Sequence, residues 1–157
     1  GSWHARRFMP DDLPAAQAFV DALCATMDAI VQPLAPGFAE PGERSLMWIG
    51  GAWTHAIRKR PRYAGEDESV ASDGPVTAAE RDLGDSALAC APGELTYARL
   101  DVIEGDPHTG ARGSTLLISE LELIEPSLFL FCEGGAEASM ALVRATERAV
   151  GRFGRGL

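Results

Sequence analysis

Two rhythms of apolar and polar positions run along this chain. Ala18, Phe19, Ala22, Leu23 and Met27 recur at helical spacing. Asp11 or Asp12 can cap that helix near Leu13, with Pro14 tolerated in its first turn. Residues 29–34 read as a short strand ended by proline, and a loop rich in Pro and Gly follows to Gly42. Residues 44–49 and 52–59 are strand-like, with Gly50-Gly51 between them as a two-residue hairpin turn. Residues 60–76 are polar and charged and predict a long loop. Thr77-Ala78-Ala79-Glu80 is a capping box, opening a helix to about Cys90 that Ala91-Pro92-Gly93 stops. Strands over 95–104 and 114–124 flank the turn-rich 105–110, and Pro126 ends the second. A last helix covers 136–153. The order is helix, three strands, helix, hairpin, helix. Adjacent hairpins imply antiparallel sheet with helices packed on one face, an α+β class.

Composition narrows this picture. A chain of 157 residues with 46% hydrophobic residues can bury a sizeable core as one domain or two small lobes. A net charge of -9 argues against nucleic acid as a partner, since such binding needs a basic footprint. No apolar run approaches the roughly 20 residues of a membrane span, and the start lacks the pattern of a signal peptide. The expectation is a cytoplasmic protein without a membrane partner. Cys24, Cys90 and Cys132 match no zinc or redox spacing and are expected as small core residues in a reducing compartment.

The late hairpin concentrates the candidate chemistry. Strand side chains alternate between faces, so Tyr97, Arg99 and Asp101 share one face while Ala98, Leu100 and Val102 share the other. Glu120 and Glu122 share a face in the next strand, with Leu116 and Ile118 expected beside them and Leu117, Leu121 and Leu123 opposite. Folding about Thr109 brings Asp101 near Glu120 and Arg99 near Glu122. Three converging carboxylates repel unless a cation sits between them or a proton is shared. Mg2+ suits such a set, because it takes hard oxygen ligands and bridges carboxylates to phosphates. Arg99 beside it can hold a phosphate or acyl-phosphate oxygen. Alternation alone also fits a plain solvated face.

Residues 55–62 place Arg58, Lys59, Arg60 and Arg62 together in an acidic protein. Arg58 and Arg60 point to one face, and Lys59 and His55 to the other. A lysine in a cleft beside Mg2+ suits nucleotide phosphates, whereas a lone histidine such as His55 is an ordinary structural residue. Val31-Gln32-Pro33-Leu34 leaves a strand edge whose free backbone groups can read an adenine edge.

In order, these pieces resemble the ATP-grasp superfamily, in its glutathione-synthetase-like, RimK-like and cycloserine cyclo-ligase-like types. The matching segments, within 30–130, are Ile30-Val31-Gln32-Pro33-Leu34, Gly42-Glu43-Arg44-Ser45-Leu46, Thr54-His55-Ala56-Ile57-Arg58-Lys59-Arg60-Pro61, Tyr97-Ala98-Arg99-Leu100-Asp101-Val102 and Glu120-Leu121-Glu122-Leu123-Ile124-Glu125-Pro126. The resemblance implies the C-terminal part of an ATP-grasp domain, without the N-terminal domain that precedes it in relatives. Residues 1–62 would be the remainder of the first lobe and 63–157 the second. It implies an ATP- and Mg2+-dependent ligase joining a small-molecule carboxylate to an amine through an acyl phosphate, and leaves a homo-oligomer open. The implied roles are adenine contact for Gln32, Pro33 and Leu34, ribose contact for Glu43, and phosphate contact for Lys59 with Arg58. Arg99 would serve the acyl-phosphate step, and Asp101, Glu120 and Glu122 would hold Mg2+. Relatives commonly carry asparagine at the position of Glu122. The 60–76 loop would close over phosphate when ATP binds. The competing expectation is a catalytically silent α+β module that binds a nucleotide or a protein.

Overall fold

A computed structural model describes residues 6–60, 69–105 and 116–153. The chain divides after Leu34 into an N-terminal unit and a larger unit over Ala35–Leu157. In the first unit, helix α1 covers Leu13–Cys24 with Pro14 in its first turn, as the spacing predicts, although Asp12 makes no side-chain cap. Arg6 lies over the rings of Phe8 and Phe19, which pack 5.5 Å apart. The expected strand at 29–34 is absent. Ile30 is 91% exposed there, and among the described residues no strand pairs with this stretch to satisfy a strand's backbone groups.

The larger unit opens with the short helix α2 (Pro36–Ala39), where the composition predicts a loop. Strands β1 (Glu43–Ile49) and β2 (Ala52–Lys59) turn at Gly50-Gly51, both at positive φ as such a turn requires. A third strand, β3 (Val70–Ser72), forms inside the stretch expected as loop, because it pairs with the exposed edge of β2. Three strands do precede the next helix, but β3 is the third, in place of 29–34. The expected closing movement of the loop falls on 61–68, outside the described residues.

Helix α3 (Ala78–Leu88) begins on the capping box that the sequence predicts. The Thr77 backbone N–H donates to Glu80 Oε2 at 2.7 Å, and the Thr77 hydroxyl accepts from the Glu80 N–H. Strands β4 (Tyr97–Glu104) and β5 (Leu116–Glu122) and helix α4 (Gly135–Phe153) complete the unit. All strand pairs are antiparallel, in the order β3-β2-β1-β4-β5. The α+β class therefore holds. The sheet also crosses residue 62, because β1 pairs with β4.

Central position explains the burial of β1 and β4 on both faces. One face carries Leu46, Ala56, Leu100 and Val102, packed with Val76 and with Leu83 and Ala87 of α3. Fully burying such a side chain contributes about 1.5–3 kcal/mol. On the opposite face His55 Nε2 donates to the Leu128 carbonyl at 2.9 Å, and Gly134 lies against His55. The segment leading into α4 thus covers part of the second face, so cover comes from both sides. The cysteines are not core residues. Cys24 and Cys90 are exposed and Cys132 is half-buried, because they fall at helix ends and in a turn rather than on the sheet.

Candidate functional site

Register builds the site. Across β1, β2 and β4, Glu43 lies opposite Lys59, and Ser45 opposite both Ile57 and Asp101. Across β4 and β5, Arg99 lies opposite Glu122 and Asp101 opposite Glu120, the pairing that the late hairpin predicts. Glu43, Ser45, Lys59, Arg99, Asp101, Glu120 and Glu122 therefore share the face of the sheet away from Leu46 and Leu100.

The fully buried Asp101 is at the centre. Arg99 grips it with a two-pronged bond, Nε to Oδ1 and Nη2 to Oδ2, each 2.9 Å. Lys59 Nζ donates to Asp101 Oδ2 and pairs with Glu43 Oε2, both at 2.7 Å. Arg99 also reaches Glu120 at 3.4 Å and Glu122 at 2.5 Å. Glu122 Oε2 is buried and ion-paired, yet it accepts no hydrogen bond of good geometry. Burial alone would push the Asp101 carboxyl up, but Arg99 and Lys59 outweigh it and hold that carboxyl below the usual range. Burial opposes the charge on Lys59 too, and Asp101 with Glu43 overcomes it, raising its pKa.

A β-bulge lies beside the site. Asp101 pairs with Glu120 while Val102 pairs with Ile118, so Ser119 is the extra residue. Its hydroxyl donates to Glu43 Oε1 at 2.6 Å. The bulge also corrects the expected faces of β5: Ile118 stands opposite the core residue Val102, and Leu117 opposite Ile103, so Leu117 rather than Ile118 shares the parity of the glutamates.

Not every expected site residue belongs here. Arg58 is on the other face, where Nε donates to Asp73 Oδ2 at 2.7 Å and Nη1 to the Gly42 carbonyl at 3.1 Å. Arg44 joins it there by pairing with Asp73 and Glu80. That face closes on itself, so Arg58 does not share a phosphate site with Lys59. Gln32, Pro33 and Leu34 are exposed residues of the N-terminal unit. Ser45 and Ser119 join the site without being expected there. Ser45 is two residues from Glu43 and is legible by parity, whereas Ser119 needs the bulge.

The face carries the kind of negative excess that a divalent cation would neutralise. Four carboxylates (Glu43, Asp101, Glu120, Glu122) meet two cations (Lys59, Arg99), an excess of two negative charges. Among the described residues no three such side chains stand close enough to form a ready metal cage, because the Arg99 guanidinium lies between the carboxylates.

No family model and no curated protein matches the chain. Two solved structures are similar. D-cycloserine synthetase DcsG superposes with a TM-score of 0.74 at 24% identity, covering 94% of this chain and 52% of its own. The ATP-grasp ligase PsnB, complexed with minimal precursor, gives a TM-score of 0.49 at 19% identity, over 89% of this chain and 44% of its own. The chain thus spans about half the length of each. The first likeness establishes the fold, an α+β architecture shared with that structure over about half of its length.

Proposed function

We propose that this chain is part of an ATP- and Mg2+-dependent ligase that activates a small-molecule carboxylate as an acyl phosphate and passes it to an amine. The observation that carries the reading is the register that sets Asp101, Glu120 and Glu122 beside Arg99 and Lys59 on one face of an ATP-grasp-like sheet. Asp101, Glu120 and Glu122 would hold Mg2+, which neutralises charge on the phosphates when bound. Lys59, its charge secured by Asp101 and Glu43, serves a nucleotide phosphate. Arg99 presents several N–H donors to the oxygens of the acyl phosphate, where charge is spread in the transition state. Glu43, steadied by Ser119, accepts from a ribose hydroxyl.

The test pairs binding with chemistry. The chain is given Mg-ATP and a panel of amino acids, with hydroxylamine present to capture acyl phosphate as a hydroxamate. Mg-ATP should raise the melting temperature, and a ligand at 100 times its Kd adds about 2.7 kcal/mol. Asp101→Asn should lose that gain together with hydroxamate formation. A mutant still stabilised like the parent defeats the metal assignment. Nucleotide binding without hydroxamate from any substrate favours the silent module.

A further inference from the structure

A single guanidinium touches every carboxylate assigned to the metal. Arg99 contacts both oxygens of Asp101, one of Glu120 and one of Glu122, at 2.5–3.4 Å. It is itself only 7% exposed, so this is not a surface side chain resting on a convenient neighbour. A divalent ion such as Mg2+ needs carboxylate oxygens at about 2.0–2.1 Å. Guanidinium nitrogens in their present positions and an ion at that distance cannot share these oxygens. Two positive centres within a few ångströms also repel strongly where water is scarce. Lys59 does not resolve the conflict. It already divides its charge between Asp101 and Glu43 and reaches neither Glu120 nor Glu122 among the contacts seen. An ion that takes the oxygens of Asp101, both of which Arg99 holds, must therefore turn a buried arginine out with no anion to receive it, and an unpaired buried charge is strongly disfavoured. A polyphosphate removes that obstacle, because its oxygens take the same fork of donors.

We propose that Arg99 is a built-in counter-ion that keeps Asp101, Glu120 and Glu122 from taking a divalent cation until a polyphosphate arrives to accept its guanidinium. The inference rests on the metal and phosphate roles proposed above and adds their order of dependence. Metal and nucleotide bind with positive coupling, and the coupling resides in one side chain. By linkage the coupling is reciprocal, so nucleotide tightens metal by the factor by which metal tightens nucleotide.

The experiment measures Mn2+ alone, counted as free ion by paramagnetic resonance, on the parent chain and on Arg99→Met. Methionine keeps much of the length and removes the charge. Arg99→Met should bind Mn2+ at least about tenfold tighter than the parent, since a like charge beside the ion is gone. Arg58→Met, on the other face, should leave the parent affinity unchanged. Equal affinity of parent and Arg99→Met overturns the inference and leaves the metal assignment standing. Failure of both to bind Mn2+, with or without ATP, overturns the assignment itself. A second measurement uses the unmutated chain and so survives a variant that does not fold. The Arg99 Nε–H, bonded to Asp101, should give a protected proton signal that Mg2+ alone leaves in place and Mg2+ with ATP shifts. A signal displaced by Mg2+ alone overturns the gate.

Discussion

Asp101 and His55 are both buried on the same face of the sheet, but they respond to acid at different points. Asp101 is held below the usual carboxylate range by Arg99 and Lys59 against the opposing effect of burial. A depressed pKa contributes stability that is complete above the unfolded value, about 4 for Asp, and is lost as pH falls through the folded value. His55 is lowered by burial, with hydrogen bonds to the Leu128 and Phe129 carbonyls acting the other way. Its neutral ring is favoured, so stability is complete above the ordinary histidine value of about 6.5 and falls below it. Lys59 is raised, so its contribution is lost only as pH climbs past the ordinary lysine value of about 10.4. Melting temperature should therefore begin to fall below about pH 6.5 and fall again below about pH 4. In His55→Gln the first decline should vanish and the second remain. A first decline that persists in this variant assigns it to another group.

At the scale of elements, β4 shows why a charged pair can sit inside a doubly covered strand. Its core parity feeds Leu100 and Val102 to α3, while the same backbone turns Arg99 and Asp101 to the opposite face. Period-two alternation makes this division of faces legible in the sequence itself, and the Thr77–Glu80 spacing does the same for the start of α3. The Ser119 bulge is not legible, since one inserted residue leaves no compositional mark. Asp73, which closes the Arg44 and Arg58 network, is hidden in a segment whose composition signals only loop. The packing of α3 is hidden as well. Gly84 is buried, and a Cβ there would overlap the Trp53 ring, whose Nε1 is fixed to Asp85 Oδ1 at 2.8 Å. Helix propensity alone makes Gly84→Ala a gain of about 1 kcal/mol. Overpacking instead makes it a loss of about 1–3 kcal/mol, and the steric term should win because the indole is anchored. A chemical-denaturation midpoint above the parent's would show that Trp53 yields.

For the molecule as a whole, the two units differ in what they bury. Strands β1 and β4 are buried almost throughout, with Leu46, Met47, Ala98 and Leu100 fully inaccessible. Helix α1 buries no residue at all, and Leu13 is 68% exposed. An isolated helix of this length is marginal in water, because nucleation is costly and propagation over about 12 residues barely offsets it. Apolar spacing identifies α1 correctly as a helix, yet spacing carries no information about what covers the apolar side. The same blindness explains the strand expected at 29–34, where an apolar run signals a strand without supplying a partner to pair with. Opening free energies within one chain range from near zero to the global value and follow burial and contact density. Native-state hydrogen exchange should therefore separate the units. Amides of β1 and β4 should exchange only through global unfolding, and their protection should fall together with denaturant. Amides of α1 should exchange orders of magnitude faster and with little denaturant dependence, since a fraying helix exposes little new surface. If α1 is instead protected as strongly as β4 in the monomer, its apolar side is covered within this chain.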